Sequence, residues 1–107
     1  MTTFDERERA FEAKFAHDAE MQFRAEARRN RLLGLWAAGL MGKTGEAAEA
    51  YARDVVKSDF EEPGEEDVFR KLKADLKDRV GDDTIRDQMQ SLLAQAKAQL
   101  LDEVEPG

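Results

Sequence analysis

Residues 37–46 read AAGLMGKTGE, and the meaning given to this stretch decides the fold. Ala37, Gly42, Lys43 and Thr44 satisfy a loose phosphate-loop pattern, with Ala where the first Gly would stand. Such a loop works when a strand delivers a Gly-rich turn to the start of a helix, so that backbone amides converge on phosphate oxygens and the Lys reaches the outer phosphates. Here the preceding stretch is RRNRLLGLWAA, which is helix-forming, and no later acidic strand is present to hold magnesium. The stretch therefore reads as a bend in which Gly42 stops one helix and Thr44 caps the next. A weaker form of the first reading remains beside it. A helix start next to Lys43 suits an anion, so Gly42, Lys43 and Thr44 would form a weak ATP or ADP phosphate site in a nucleotide-responsive helical regulator.

The rest of the chain agrees with an all-α fold. Val occurs five times and Ile once in 107 residues, while Ala, Glu, Lys, Arg, Gln and Leu dominate. The length fits one small domain. With no Cys and one His, disulfides and thiolate metal sites are excluded, and neither a Ser-His-Asp nor a Cys-His set can be assembled. No catalysis, metal or required cofactor is expected. The net charge of -7 disfavours nucleic acid and anionic membranes as partners and favours proteins. MTTFDERERAF lacks the features of a secretory leader, and no apolar run approaches the roughly 20 residues that span a bilayer. The expected compartment is the cytoplasm, and the expected free state is a monomer. Residues 1–31 hold seven acids and seven bases, so the acidic excess lies entirely downstream.

Four helices are expected. Thr3 to Glu6 has capping-box spacing, so the first helix begins near Phe4 and, with no breaker before Gly39 and Gly42, runs to about Met41. The second carries Ala48, Tyr51, Ala52, Val55, Val56 and Phe60 at helical spacing and ends at Pro63-Gly64. Acidic residues 65–67 open the third, whose stripe is Val68, Phe69, Leu72, Leu76 and Val80, with Gly81 as its stop. Asp82 or Asp83 caps the fourth, whose stripe is Ile85, Met89, Leu92, Leu93, Ala96 and Leu100, and the tail is loose after Asp102. Short connections favour a bundle centred on Leu33, Trp36, Leu40, Tyr51, Val55, Leu72, Leu76, Met89 and Leu93. The chain thus divides into an arm (1–18), a four-helix bundle (19–103) and a tail (104–107).

The arm fits the bundle poorly. Phe4, Phe11 and Phe15 fall within roughly 40° of one another on a helix, yet the same line then meets Asp18, Gln22, Glu26 and Arg29 before Leu33, Trp36 and Leu40 return to it. Phe15 and Leu33 stand roughly 27 Å apart along a continuous helix. The stripe either folds back into the core or stays exposed as a flexible amphipathic arm that orders in a partner's groove. His17 reads as a solvated helix residue. Arg24, Arg28 and Arg31 share a face that is either the wet side of a helix or a contact for an acidic partner. The acidic clusters lack calcium-loop spacing.

The stretch FDERERAFEAKFAHDAEMQFRAEARRNRLLGLWAAGLMG, followed by AYARDVVKSDFEEPG, resembles the zeta-subunit inhibitor family of alphaproteobacterial F-type ATP synthases. The resemblance covers nearly the whole chain and is most specific in its N-terminal block. It implies a four-helix regulatory protein, associated with the cytoplasmic face of the membrane-bound synthase. Its partners would be the catalytic head and rotor. Its N-terminal arm would enter a catalytic interface of the head, block rotation, and oppose ATP hydrolysis more than synthesis. On this sequence the resemblance assigns inhibition to Phe4, Arg7, Phe11, Lys14 and Phe15. One departure is Gly39, a poor helix former, which predicts early fraying of the first helix.

Overall fold

The computed structural model describes the backbone of residues 3–58 and 66–105, and side chains from Asp5 onward within those ranges. Within them it contains five helices: α1 (Thr3–Phe15), α2 (Ala19–Leu40), α3 (Gly45–Ser58), α4 (Glu66–Leu76) and α5 (Asp82–Val104). No strand occurs among the described residues. The predicted capping box, Phe60 and the Pro63-Gly64 stop lie outside the described side chains or residues.

The expected single helix from Phe4 to Met41 is instead two. Asp18 adopts an extended backbone (φ -99, ψ 98) and accepts from the Met21 amide at 3.1 Å, which makes it the N-cap of α2. The Asp18 amide and the Gln22 side-chain amide both donate to the Phe15 carbonyl at 3.0 Å, closing the end of α1. Asp18 and Gln22, the first two polar residues that interrupt the aromatic stripe, thus cap a break between the helices.

At the other end of α2, Gly42 takes φ +77, a conformation that costs glycine little. Its amide donates to the Gly39 carbonyl at 3.1 Å, and the Lys43 amide donates to the Ala38 carbonyl at 2.8 Å. This pair of bonds is a Schellman stop. Thr44 then occupies the residue before α3, its carbonyl accepting from Ala48. Gly39 stays helical, so the expected early fraying does not occur.

Two further boundaries move. Helix α4 ends at Leu76, because Lys77 enters the left-handed region (φ 55), and Gly81 is the N-cap of α5 rather than the stop of α4. Asp82 and Asp83 sit in the first turn of α5, where their charge complements the helix dipole. Val80 lies beyond α4 yet still packs on the core.

Two clusters share α2 and α5 as a common spine. The larger joins Leu33, Ala37 and Ala38 of α2 to Tyr51 and Val55 of α3, to Val68, Phe69, Leu72 and Leu76 of α4, and to Ile85 and Met89 of α5. Helices α2 and α3 approach so closely that a Cβ on Gly34 would stand 2.5 Å from Ala52 Cα. The smaller cluster joins Phe11 of α1 to Met21 and Ala25 of α2 and to Leu100 and Leu101 of α5, flanked by Phe15 and Leu93. Two expected core positions change accordingly. Leu40 is 41% exposed, and Leu93 belongs to the smaller cluster.

Candidate partner-binding site

The sequence nominated the first helix as the chemistry-bearing element, and its geometry corrects the picture of an unsheltered arm. Phe11 is 0% exposed among Met21, Ala25, Leu100 and Leu101. Phe15 is half-buried beside it, with ring centroids 5.0 Å apart and planes at 52°, a tilted contact favoured by the ring quadrupoles. The side chain of Phe4 lies outside the described residues. Two of the three rings therefore find shelter within the same molecule. The shelter comes from Met21 and Ala25 of α2 and from the C-terminal half of α5, whose apolar stripe continues past Met89 to Leu100 and Leu101.

Charges align with this apolar seam in both directions. Arg7 of α1 meets Asp102 at 2.5 Å, and Lys14 pairs with Glu105. In reverse, Lys97 of α5 reaches Glu12 at 2.6 Å and Glu8 at 3.9 Å. The Lys97 hydrogen bond holds the Glu12 carboxyl below the usual carboxylate range, and Lys14 does the same to Glu105. The Lys14 ammonium also stands 5.6 Å from the Phe15 ring centre. All four nominated residues with described side chains, Arg7, Phe11, Lys14 and Phe15, are thus brought together on one seam and occupied there.

What α1 shows to solvent away from the seam is polar or small: Asp5, Glu6, Arg9, Ala10, Ala13 and, at the turn, Ala16 and His17. A partner that uses the aromatic face must therefore receive α1 after it leaves α5. Burial of Phe11 opposes this by about 1.5–3 kcal/mol, Phe15 adds part of that, and each exposed ion pair adds about 0–1 kcal/mol. The joint lies at residues 16–18, where no helical hydrogen-bond ladder has to be broken.

Gly42, Lys43 and Thr44 are exposed, but the amides of Gly42 and Lys43 point back at α2 carbonyls. Those two donors are spent on the helix stop, so they do not form the cradle of a phosphate loop. Among the described residues no cluster of His, Cys, Asp or Glu is arranged to hold a metal, and no helix is long and apolar enough to cross a membrane.

Sequence reasoning missed the far side of the seam: Lys97, Leu101, Asp102 and Glu105. A signal was present in the length of α5, where Leu93, Leu100 and Leu101 continue the apolar stripe past Met89. Arg24, Arg28 and Arg31, noted as a shared face, do line one groove beside α2.

Comparison with known proteins adds two findings. The family model described as ATPase inhibitor subunit zeta matches residues 1–99. A protein whose solution NMR structure is known is 55% identical, with a TM-score of 0.73, over 78% of this chain and 98% of that one. No curated protein matches.

Proposed function

The chain belongs to the ATPase inhibitor subunit zeta family, and from that premise we propose that it is a non-enzymatic regulatory subunit. It inhibits ATP hydrolysis by an F-type ATP synthase through insertion of α1. The carrying observation is that Arg7, Phe11, Lys14 and Phe15 form one seam on a helix separated from α2 by a break at residues 16–18. In the free chain that seam rests on α5. In the complex, α1 swings out and exchanges α5 for a groove at a catalytic interface of the head, next to the rotor. The Phe rings then supply apolar anchors at helical spacing, and Arg7 and Lys14 supply charge pairs. A helix wedged at that interface blocks rotation, and α2–α5 stay on the cytoplasmic face of the complex and orient it.

The exchange is energetically feasible because the seam is worth only a few kcal/mol, which a matching groove returns. The test is a chain lacking residues 1–18, checked for retained helix by circular dichroism and added to the synthase during ATP hydrolysis. Loss of inhibition is the expected result. Full inhibition by the shortened chain would falsify the assignment to α1.

A further inference from the structure

Outside the α1 seam the most distinctive surface is a groove of about 620 Å³ along α2, lined by Phe23, Arg24, Arg28, Leu32, Val56 and Leu100 among others. A smaller hollow of about 220 Å³ continues it across Arg31 and Val56 to Arg53 and Lys57 of α3. The floor is apolar, and Phe23 at its lip is 50% exposed. The rim is cationic: Arg24, Arg28, Arg31, Arg53 and Lys57 line the two hollows, against Glu49 as the single lining carboxylate among the described residues. Glu49 is held by Arg31 at 3.0 Å, and Glu103 by Arg28. Arg53 pairs with Glu46 at 3.5 Å, so three of the five rim cations are matched and, among the described residues, the excess positive charge beside this apolar trough rests on Arg24 and Lys57, in a molecule of net charge -7. Arg24 and Lys57 are exposed at its edge.

The floor follows α2 from Phe23 to Leu32, about 13 Å at the rise of a helix and so between two and three turns. A trough of that length fits a second helix lying alongside. We propose that this groove docks an acidic amphipathic helix of the synthase, separate from the interface that receives α1. Apolar side chains of the occupant would enter between Phe23, Leu32, Val56 and Leu100, and its carboxylates would meet Arg24 and Lys57. The groove anchors the subunit, while α1 carries the inhibition. The identity of the partner rests on the proposed function; the chemistry of the occupant rests on the groove.

The experiment measures binding of the full chain to the soluble catalytic head of the synthase, together with inhibition of hydrolysis as a function of dose. The variants are R24E/K57E, which reverses rim charge, and F23A, which removes the lip ring. None of these residues belongs to the two core clusters, and helix content provides the control for folding. Each variant is expected to weaken binding about tenfold or more, shifting the dose of half-inhibition while leaving the plateau near complete. The wild-type affinity is also expected to fall with added salt, and that of R24E/K57E to fall much less. Unchanged affinity in both variants overturns the groove. Self-association of the wild type that the variants abolish overturns it in favour of a second copy. A wild-type chain that binds without inhibiting sinks the proposed function alone, since the affinity comparison still reads the groove. A wild-type chain that does not bind sinks both.

Discussion

Lys97 of α5 reaches Glu12 of α1 at 2.6 Å across 85 residues of sequence, and this contact ties the candidate inhibitory helix to the body of the molecule. Because the pairing lowers the Glu12 pKa in the folded state, its contribution is complete above the ordinary value of 4.5. It is lost as the pH falls through the depressed folded value. The lowered pKa of Glu105, held by Lys14, acts in the same direction. Acidification below about pH 4.5 is therefore expected to loosen α1. Glu12→Gln at neutral pH should do so in part, raising amide exchange in residues 5–15 about two- to fivefold, for about 0.5–1 kcal/mol. Unchanged exchange in both experiments would show that the apolar contacts alone hold α1.

The same pairs permit a chemical lock. A zero-length carbodiimide joins an amine to a carboxylate in contact, so Lys14–Glu105 and Lys97–Glu12 are the expected links between α1 and α5. Mass spectrometry of the digested product identifies them. If inhibition requires α1 to leave α5, purified cross-linked chain should lose most of its inhibition, whereas mock-treated chain keeps it. Undiminished inhibition by the locked form would mean that the docked helix is itself the active conformation.

Two glycines of α2 are expected to respond oppositely to alanine. At Gly34 the added methyl would collide with the Ala52 backbone, so Gly34→Ala should lower stability by about 1–3 kcal/mol despite better helix propensity. At Gly39 nothing stands within 4 Å of the new Cβ, and Gly39→Ala should stabilise by about 0.5–1 kcal/mol. Trp36 is the only tryptophan and packs on the larger cluster, so urea titrations followed by its fluorescence read both variants. A loss at Gly39 or a gain at Gly34 would contradict the packing described.

The hydroxyl of Tyr51 donates to Asp75 at 2.8 Å, and Lys71 meets the same carboxylate at 3.1 Å, which ties α3 to α4. Burial first, then the bond to Asp75, raises the Tyr51 pKa above its ordinary 10.0. Stability from the neutral phenol is therefore complete below about pH 10 and lost above it as pH rises through the folded value. Tyr51 is the only tyrosine, so tyrosinate absorbance reports this group alone and should rise only with unfolding. Tyr51→Phe should cost about 0.5–1.5 kcal/mol and remove that part of the alkaline sensitivity. Ionisation near the ordinary value in the native chain would place the hydroxyl in water.

Much of the larger cluster is legible from spacing alone. Leu33, Tyr51, Val55, Leu72, Leu76 and Met89 recur at helical intervals on stretches with clear starts and stops, and each is buried. The bend at Gly42 was equally legible, because glycine after a helix-forming run suits a left-handed stop. Asp18 was not read in its true role. On a continuous helix it is a polar residue on the aromatic line, and only a chain that turns there makes it a cap. Leu40 failed for a related reason: it keeps the period of the stripe, but α2 runs out at that point and leaves its side chain in solvent.

By itself the sequence determined that the chain is helical, where glycines interrupt it, and which residues of the first helix carry aromatic rings and opposing charges, because these follow from local propensity and from a helical period of about 3.6. It could not decide where those rings go. Phe11 is buried because α5 is long enough to bring Leu100 and Leu101 back beside α1, and because Lys97, Asp102 and Glu105 meet charges of opposite sign there. Contacts between chain segments so far apart in sequence depend on how far each helix extends and on the angle at which the chain turns at Asp18, and neither quantity is contained in the spacing of any one helix.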